Sequence, residues 1–349
     1  VILASPNFTD PFQDIFDDPS VVVDPVNHEK VYVAYRHIAL GSLNCGLLTT
    51  VEVLPSNDGG QTFGSPVVVD TECFGQTFTL PVGTRAAVSS KGRVYVAWEI
   101  DTIFTSLFQQ NIAVGSFDPG SPANPPVVID AIVEGGLEIF EPFFGFGGAS
   151  GADDQALQGG FQNLRGFDLA VDHSGGPADG TVYIAWDDAR NANFVAPEIE
   201  DDFLGLYSFT DILFTSSADG QTFGPTRRLN SDPQPLTSRG HDHFRPVLAV
   251  NGKGKVAACW YDRRNDPENY QFERFCAEST NAGASWTEFP INGSLSTPSR
   301  GQDILINQDD MGQNDNLTTD FSGEATGFIG GIQWMSSGMN PDIKVVRFR

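Results

Sequence analysis

Five stretches of this chain repeat one pattern: VVVDPVNHEKVYVAYR (21–36), AAVSSKGRVYVAWE (86–99), LAVDHSGGPADGTVYIAWDD (169–188), LAVNGKGKVAACWYD (248–262) and LTTDFSGEATGFIGGIQW (317–334). Each is a short apolar run, a polar turn with Gly, Asp or Asn, and a β-branched and aromatic run reaching Tyr or Trp. That is the signature of an antiparallel hairpin. A unit recurring tens of residues apart specifies an array of one supersecondary motif, not a mixed fold. No helical period of any length interrupts it.

A second repeat extends the unit beyond the hairpin. The octet in SNDGGQTFG (56–64) returns as SADGQTFG (217–224) and STNAGASW (279–286), each between two strand-like stretches. The unit is therefore a four-stranded meander, with the octet as the turn between strands three and four. Its composition is that of a folding device. The Asp58 carboxylate accepts backbone N–H groups, Gly59 and Gly60 supply positive φ, and Phe63, Phe223 and Trp286 plug the turn against a neighbouring sheet. Repeated four-stranded antiparallel sheets around an axis make a β-propeller. The expected fold is thus all-β, a single propeller domain over residues 1–349, with five blades detected and six possible. Residues 131–162, rich in Gly and Phe, read as an insertion. The first residues, VILAS, are placed to pair with the last unit and close the ring.

Charge narrows the partners. Forty-five acidic against 20 basic residues give a net charge of −25. Nucleic acid is excluded as a partner, because phosphate binding needs a basic patch. No apolar run approaches the ~20 residues that span a bilayer. The four cysteines, Cys45, Cys73, Cys259 and Cys276, form no CxxC pair, which argues against zinc. Proximity favours disulfides Cys45–Cys73 and Cys259–Cys276 in an oxidising, secreted setting, with four buried thiols as the alternative. Sequons at Asn7, Asn292 and Asn316 permit glycosylation.

SNDGGQTF matches the pattern S-x-D-x-G-x-T-F/W, and WYDRRNDP (260–267) has the look of a recurrent bacterial segment. On these motifs the chain resembles the sialidase-like, Asp-box (BNR repeat) β-propellers. The resemblance implies six blades and a site at the mouth of a central channel. For sialidases themselves it implies three arginines clamping a carboxylate, a Tyr nucleophile with a Glu partner, and an Asp acid/base. The chain departs from that set: it lacks the Phe-Arg-Ile-Pro motif, and no Tyr follows Tyr270.

Meander topology places the entry to each first strand and the exit of each second strand at one end. Arg85, Arg165 and Arg245 precede three first strands at nearly one address. A guanidinium trio there would hold a carboxylate or sulfate, or pair with acids in the next blade. Arg36 and Arg263 join them as substrate-binding candidates. Glu99, Asp187, Asp188, Tyr261 and His243 are the catalytic candidates. Two carboxylates serve glycoside hydrolysis, whereas Tyr or His serves proton abstraction in uronate elimination. Asp309, Asp310 and Asp315, in NQDDMGQNDN, are oxygen donors suited to Ca²⁺, although no cofactor is required. The expected activity is carbohydrate chemistry on an acidic glycan or polysaccharide. A non-catalytic glycan-binding or surface-assembly propeller, using Phe140, Phe143, Phe144 and Phe146, is the alternative.

Overall fold

The computed structural model describes residues 14–42, 45–102, 109–131, 166–188, 193–194, 206–207, 210–233, 240–269, 271–291, 293, 295, 317–319, 328–337 and 340–348. The 131–162 insertion beyond Ala131, VILAS, the three sequon asparagines, Arg165 and the 309–315 acids lie outside them. The chain divides into two compact units: Val1–Ala131 with Leu169–Val182 and Ser217–Phe223, and Ile132–Asp168 with Tyr183–Ser216 and Gly224–Arg349.

In the first unit, β1 (Ile15–Val23), β2 (Val31–Ser42), β3 (Gly46–Ser56) and β4 (Val67–Cys73) pair in sequence order as an antiparallel sheet. One helical turn, α1 (Phe74–Thr77), leads to a second such sheet of β5 (Thr79–Val88), β6 (Val94–Thr102), β7 (Gln109–Phe117) and β8 (Asn124–Ile129). Side chains alternate faces along a strand, so Val94, Val96 and Trp98 share one face of β6. They pack with Tyr32, Ala34, Val51, Val53, Val69 and Phe117 as a core between the two sheets. Each large apolar side chain buried there contributes on the order of 1.5–3 kcal/mol.

The third sheet has the order β14-β13-β10-β9, from β9 (Phe167–Val171), β10 (Val182–Asp188), β13 (Asp211–Ser217) and β14 (Arg227–Arg228), and its residues are divided between the units. A separate pair, β11 (Asn193–Phe194) and β12 (Leu206–Tyr207), lies between β10 and β13 in sequence. The second unit holds β15 (His243–Val250), β16 (Val256–Asp262), β17 (Glu273–Ser279) and β18 (Thr287–Pro290), again antiparallel in sequence order. It ends on a three-stranded sheet of β19 (Leu317–Thr319), β20 (Phe328–Ser337) and β21 (Asn340–Phe348). All five expected hairpins are thus present as adjacent strands. Among the described residues no helix is long and apolar enough to cross a membrane.

The first strands are stitched to one another by a repeated bond. Ser20 Oγ accepts the Ala86 N–H at 3.1 Å in the first unit, and Asp168 Oδ2 accepts the Leu248 N–H at 2.7 Å in the second. Both acceptors lie three residues before the end of their strand, and both donors two before the end of theirs.

The octets fold as one turn. Ser56 Oγ donates to Asp58 Oδ1 at 2.8 Å and accepts the Gly60 N–H at 2.9 Å, while the Thr62 N–H and hydroxyl donate to the Asp58 carboxylate at 2.8 and 2.6 Å. The shorter second copy keeps this arrangement with Ser217, Asp219, Gly220 and Thr222. In the third, Asn281 Oδ1 accepts from the Ser279 hydroxyl and the Ser285 N–H, and its amide donates to Ser285 Oγ at 2.8 Å. The last side-chain bond therefore runs in the reverse direction from Thr62. Gly220 and Gly283 sit at φ 69° and 80°. A Cβ would stand 2.3 Å from the Tyr95 ring at the first and 2.6 Å from the Phe214 ring at the second. Glycine is required at both for backbone and for packing.

Both expected disulfides are formed. Cys259–Cys276 joins directly opposite residues of β16 and β17, and Cys45–Cys73 ties the start of β3 to the end of β4.

Candidate active site

β2, β6, β10 and β16 each begin at a valine: Val31, Val94, Val182 and Val256. Five apolar or aromatic residues follow one template: VYVAY, VYVAW, VYIAW and VAACW. At the sixth residue the likeness stops, at Arg36, Glu99, Asp187 and Tyr261. All four are buried, with at most 4% exposure. In three of the sheets register places this residue opposite the start of a bulge in the first strand: Asp17↔Arg36, Val82↔Glu99 and Phe244↔Tyr261. The next first-strand residue has a left-handed backbone each time: Asp18 at φ 52°, Gly83 at 60° and Arg245 at 52°. Glycine adopts that conformation freely, but a side chain there costs roughly 1–2 kcal/mol.

Register separates two arginines that the sequence places at one address. Arg85 pairs with Ala97, two residues beyond the bulge glycine, and its counterpart in the fourth sheet is Val247, opposite Cys259. Arg245 is the bulge residue itself, and its counterpart is Gly83. Arg85 Nη1 donates to the neighbouring Thr84 carbonyl at 3.1 Å.

In the second unit Asp187, Arg245, Tyr261, Arg263 and Arg274 are all buried. The Arg245 N–H donates to Asp187 Oδ2 at 2.8 Å, and the Asp187 N–H donates to the Gly166 carbonyl at 2.8 Å. Tyr261 packs against Phe244 and Phe272, with ring centroids 5.4 and 5.0 Å away. The guanidinium groups of Arg274 and Arg263 lie over the Tyr261 and Phe244 rings at 4.4 and 5.1 Å. Cations over aromatic faces are stabilised by the ring quadrupole, the more so where water is absent. Arg263 also donates to Asp242 Oδ2 at 3.0 Å, which Asn269 Nδ2 shares at 2.8 Å.

His243 is committed to structure. It is fully buried, and its Nδ1 lies 2.8 Å from the Thr210 carbonyl. Its Nε2 lies 3.0 Å from Asp232 Oδ1 and 3.4 Å from Asp262 Oδ2. Burial alone would lower its pKa, but the Asp262 charge and the Asp232 hydrogen bond push it up to about 9. The Asp232 carboxyl is lowered in turn: burial opposes this, and the bond to His243 prevails. An imidazolium clamped by two carboxylates, with its other nitrogen on a carbonyl, has no free lone pair for a general base. Asp262 is held further by Trp260 Nε1 at 2.8 Å and by Arg264 Nη2 at 2.6 Å. In the preceding sheet Asp188 has the same role, accepting from Trp186 Nε1 at 2.7 Å. The second sheet has Ile100 at that position, and among the described residues Trp98 Nε1 has no hydrogen-bond partner.

In the first unit Arg36 is neutralised: Nη2 is 2.5 Å from Asp17 Oδ2, and Nη1 donates to the Pro81 carbonyl at 3.2 Å. Glu99 is buried opposite Val82. The structure therefore brings together Asp187 with Arg245, and Tyr261 with its flanking arginines, while His243, Asp188 and Arg36 are each bonded within the fold. Asp232, Asp242 and Arg274 were not marked as site residues by the sequence. Arg274 carried a signal, as a cation opening the otherwise apolar run RFCA. Asp232 had none, since it lies in a polar loop that only the tertiary fold brings to His243. Among the described residues, no group of three or more His, Cys, Asp or Glu is arranged to hold a metal ion.

No protein-family model matches the chain, and no curated protein is similar to it in sequence. Solved structures with some likeness include the α-L-arabinanase of Penicillium chrysogenum complexed with arabinobiose, at 14% identity over 93% of this chain and 76% of that one, TM-score 0.46. The α-L-arabinofuranosidase of Fusarium graminearum with an iminosugar inhibitor matches at 9% identity, covering 90% and 73%, TM-score 0.45. The sialidase of Trypanosoma rangeli with the inhibitor DANA matches at 12% identity, covering 90% and 43%, TM-score 0.44. Likeness this distant carries no weight for the activity of this chain.

Proposed function

We propose that this chain is a single β-propeller of the sialidase-like, Asp-box type, exported to an oxidising compartment, and a carbohydrate-active enzyme for an acidic glycan. The observation that carries this reading is Arg245. A buried arginine is kept in a left-handed backbone where the second sheet uses glycine, with its N–H on the carboxylate of Asp187. Strain of this kind persists where the surroundings impose it, and it clusters at ligand clamps and active sites. The guanidinium of Arg245 is the proposed clamp for the substrate carboxylate, which a chain of net charge −25 would otherwise repel. Asp187, its Oδ2 fixed by the Arg245 N–H, is the proposed proton-transfer group, and Tyr261 beside Arg274 the proposed acid or base on the leaving side. Glu99 and Arg36 hold the same strand position in their own sheets.

The test is product release from a panel of sialosides, glucuronides and polyuronates by wild type and by Arg245→Gly. That variant suits the left-handed backbone and removes the guanidinium. Release lost in the variant supports the reading; equal release by both overturns it. An unsaturated sugar product selects elimination over hydrolysis. A second reading, a glycan-binding module without turnover, is favoured by the internal commitment of His243, Asp188 and Arg36. It predicts that Arg245→Gly lowers acidic-glycan binding in a protein that releases nothing.

A further inference from the structure

Phe16 in the first unit is 42% exposed, yet its ring is held in a fixed place. It lies parallel to the His37 imidazole, with centroids 4.5 Å and planes 17° apart, and the two residues are direct cross-strand partners on β1 and β2. His37 Nδ1 is hydrogen-bonded to Glu52 Oε1 at 3.0 Å, and Nε2 lies 3.2 Å from Asp14 Oδ2. Glu52 is buried and itself anchored, accepting from the Tyr35 hydroxyl at 2.6 Å and from Thr50 Oγ1 at 2.7 Å. Burial alone would raise the Glu52 carboxyl; the bonds from Tyr35, Thr50 and His37 outweigh it and hold it below its ordinary value. Register puts Tyr35 opposite Glu52 and His37 opposite Thr50, so these side chains share one sheet face with Phe16.

The result is an aromatic plate backed by His37, flanked by the Tyr35 ring at 5.8 Å and open in part to solvent. Asp14 and Asp17, with side chains about half exposed, stand beside it. A plate of this kind suits the C–H face of a sugar ring, and the Asp14 carboxylate suits its hydroxyls. The Asp14 carboxylate repels an anionic ring. A cation held by aromatic rings alone calls for a cage of several walls, and one face of Phe16 is already covered. The geometry points to a subsite for a neutral sugar residue on β1 and β2, with Phe16 as the stacking platform and Asp14 as the hydroxyl acceptor. The buried Tyr35–Glu52–His37 chain is its preorganising support, so little ordering cost falls on binding. The choice of ligand class rests on the carbohydrate reading proposed for the chain, but the site belongs to the first unit, and its test reads binding instead of turnover.

The test is saturation-transfer NMR on the full chain with cellohexaose, xylohexaose and maltohexaose. At least one of the three is expected to bind, with transfer to sugar ring protons. Phe16→Ala should weaken binding by about tenfold, a typical loss for an aromatic anchor, whereas Phe16→Trp should retain or strengthen it. Thermal unfolding checks that both variants are folded. Binding to none of the three, or equal binding by wild type and Phe16→Ala, overturns the subsite. Acidic-glycan release that Arg245→Gly abolishes and Phe16→Ala leaves intact would locate catalysis elsewhere without touching the subsite.

Discussion

The octet turns and the ends of the second strands are both repeated, but they repeat different things. The turns repeat chemistry: a hydroxyl, a carboxylate or amide, and a left-handed glycine recur, because those groups are the turn's internal hydrogen bonds. The strand ends repeat geometry alone. The same sixth residue of the strand, counting the opening valine, carries Arg36, Glu99, Asp187 and Tyr261, and in three sheets it lies opposite the same bulge. Where the fold dictates the residue, the copies agree; where the backbone leaves the side chain open, they diverge. The contrast within the bulge is sharpest between Gly83 and Arg245, one conformation held with ease and the other with strain.

The largest expected effect comes from breaking the scaffold beside the strand end. Asp262→Ala leaves the buried His243 and Arg264 charges short of a partner, and should cost ~3–5 kcal/mol in denaturant unfolding. A cost below ~1 kcal/mol, no more than an exposed pair is worth, would contradict the clamp. Next is pH. The folded pKa of His243, about 9, is above the ordinary imidazole value. Its contribution to stability is therefore complete below about 6.5, the unfolded value, and is lost as pH rises through the folded value. Asp232, whose folded pKa is depressed, acts in the opposite sense: its contribution is present above the ordinary carboxylate range and lost as pH falls. Unfolding midpoints of wild type should drop between about pH 7 and 10, as the imidazolium is lost, and His243→Gln should flatten that drop while lowering the whole curve.

Arg245→Gly should move stability by no more than roughly 1 kcal/mol, because relief of left-handed strain offsets lost contacts. A large loss would mean that the arginine is scaffold, like Arg36. The smallest effect belongs to the turn. Asn281→Asp should leave stability within about 0.5 kcal/mol, since a carboxylate there can accept from Ser285 as Asp58 accepts from Thr62.

Much of the fold was legible because hairpins and octets are local: their hydrogen bonds close within a few residues. Both disulfides were legible for the same reason, through proximity in sequence. For the proposed site the sequence offers residue types, but not their partners. Arg85 and Arg245 look equivalent until a bulge shifts one of them by two places. His243 reads as a free base until Asp232, from the preceding loop, and Asp262 meet at its Nε2. Bulges and long-range ion pairs leave no periodic trace, so a reading by pattern passes over them.

The most direct measurement is product release from acidic glycans by wild type and Asp187→Asn. Asparagine can still accept the Arg245 N–H, so the bulge should hold while the charge is removed. The account predicts a folded variant whose turnover falls by about 10²–10⁴-fold. A folded variant with wild-type turnover would show that the strand end is scaffold and that the chemistry lies elsewhere.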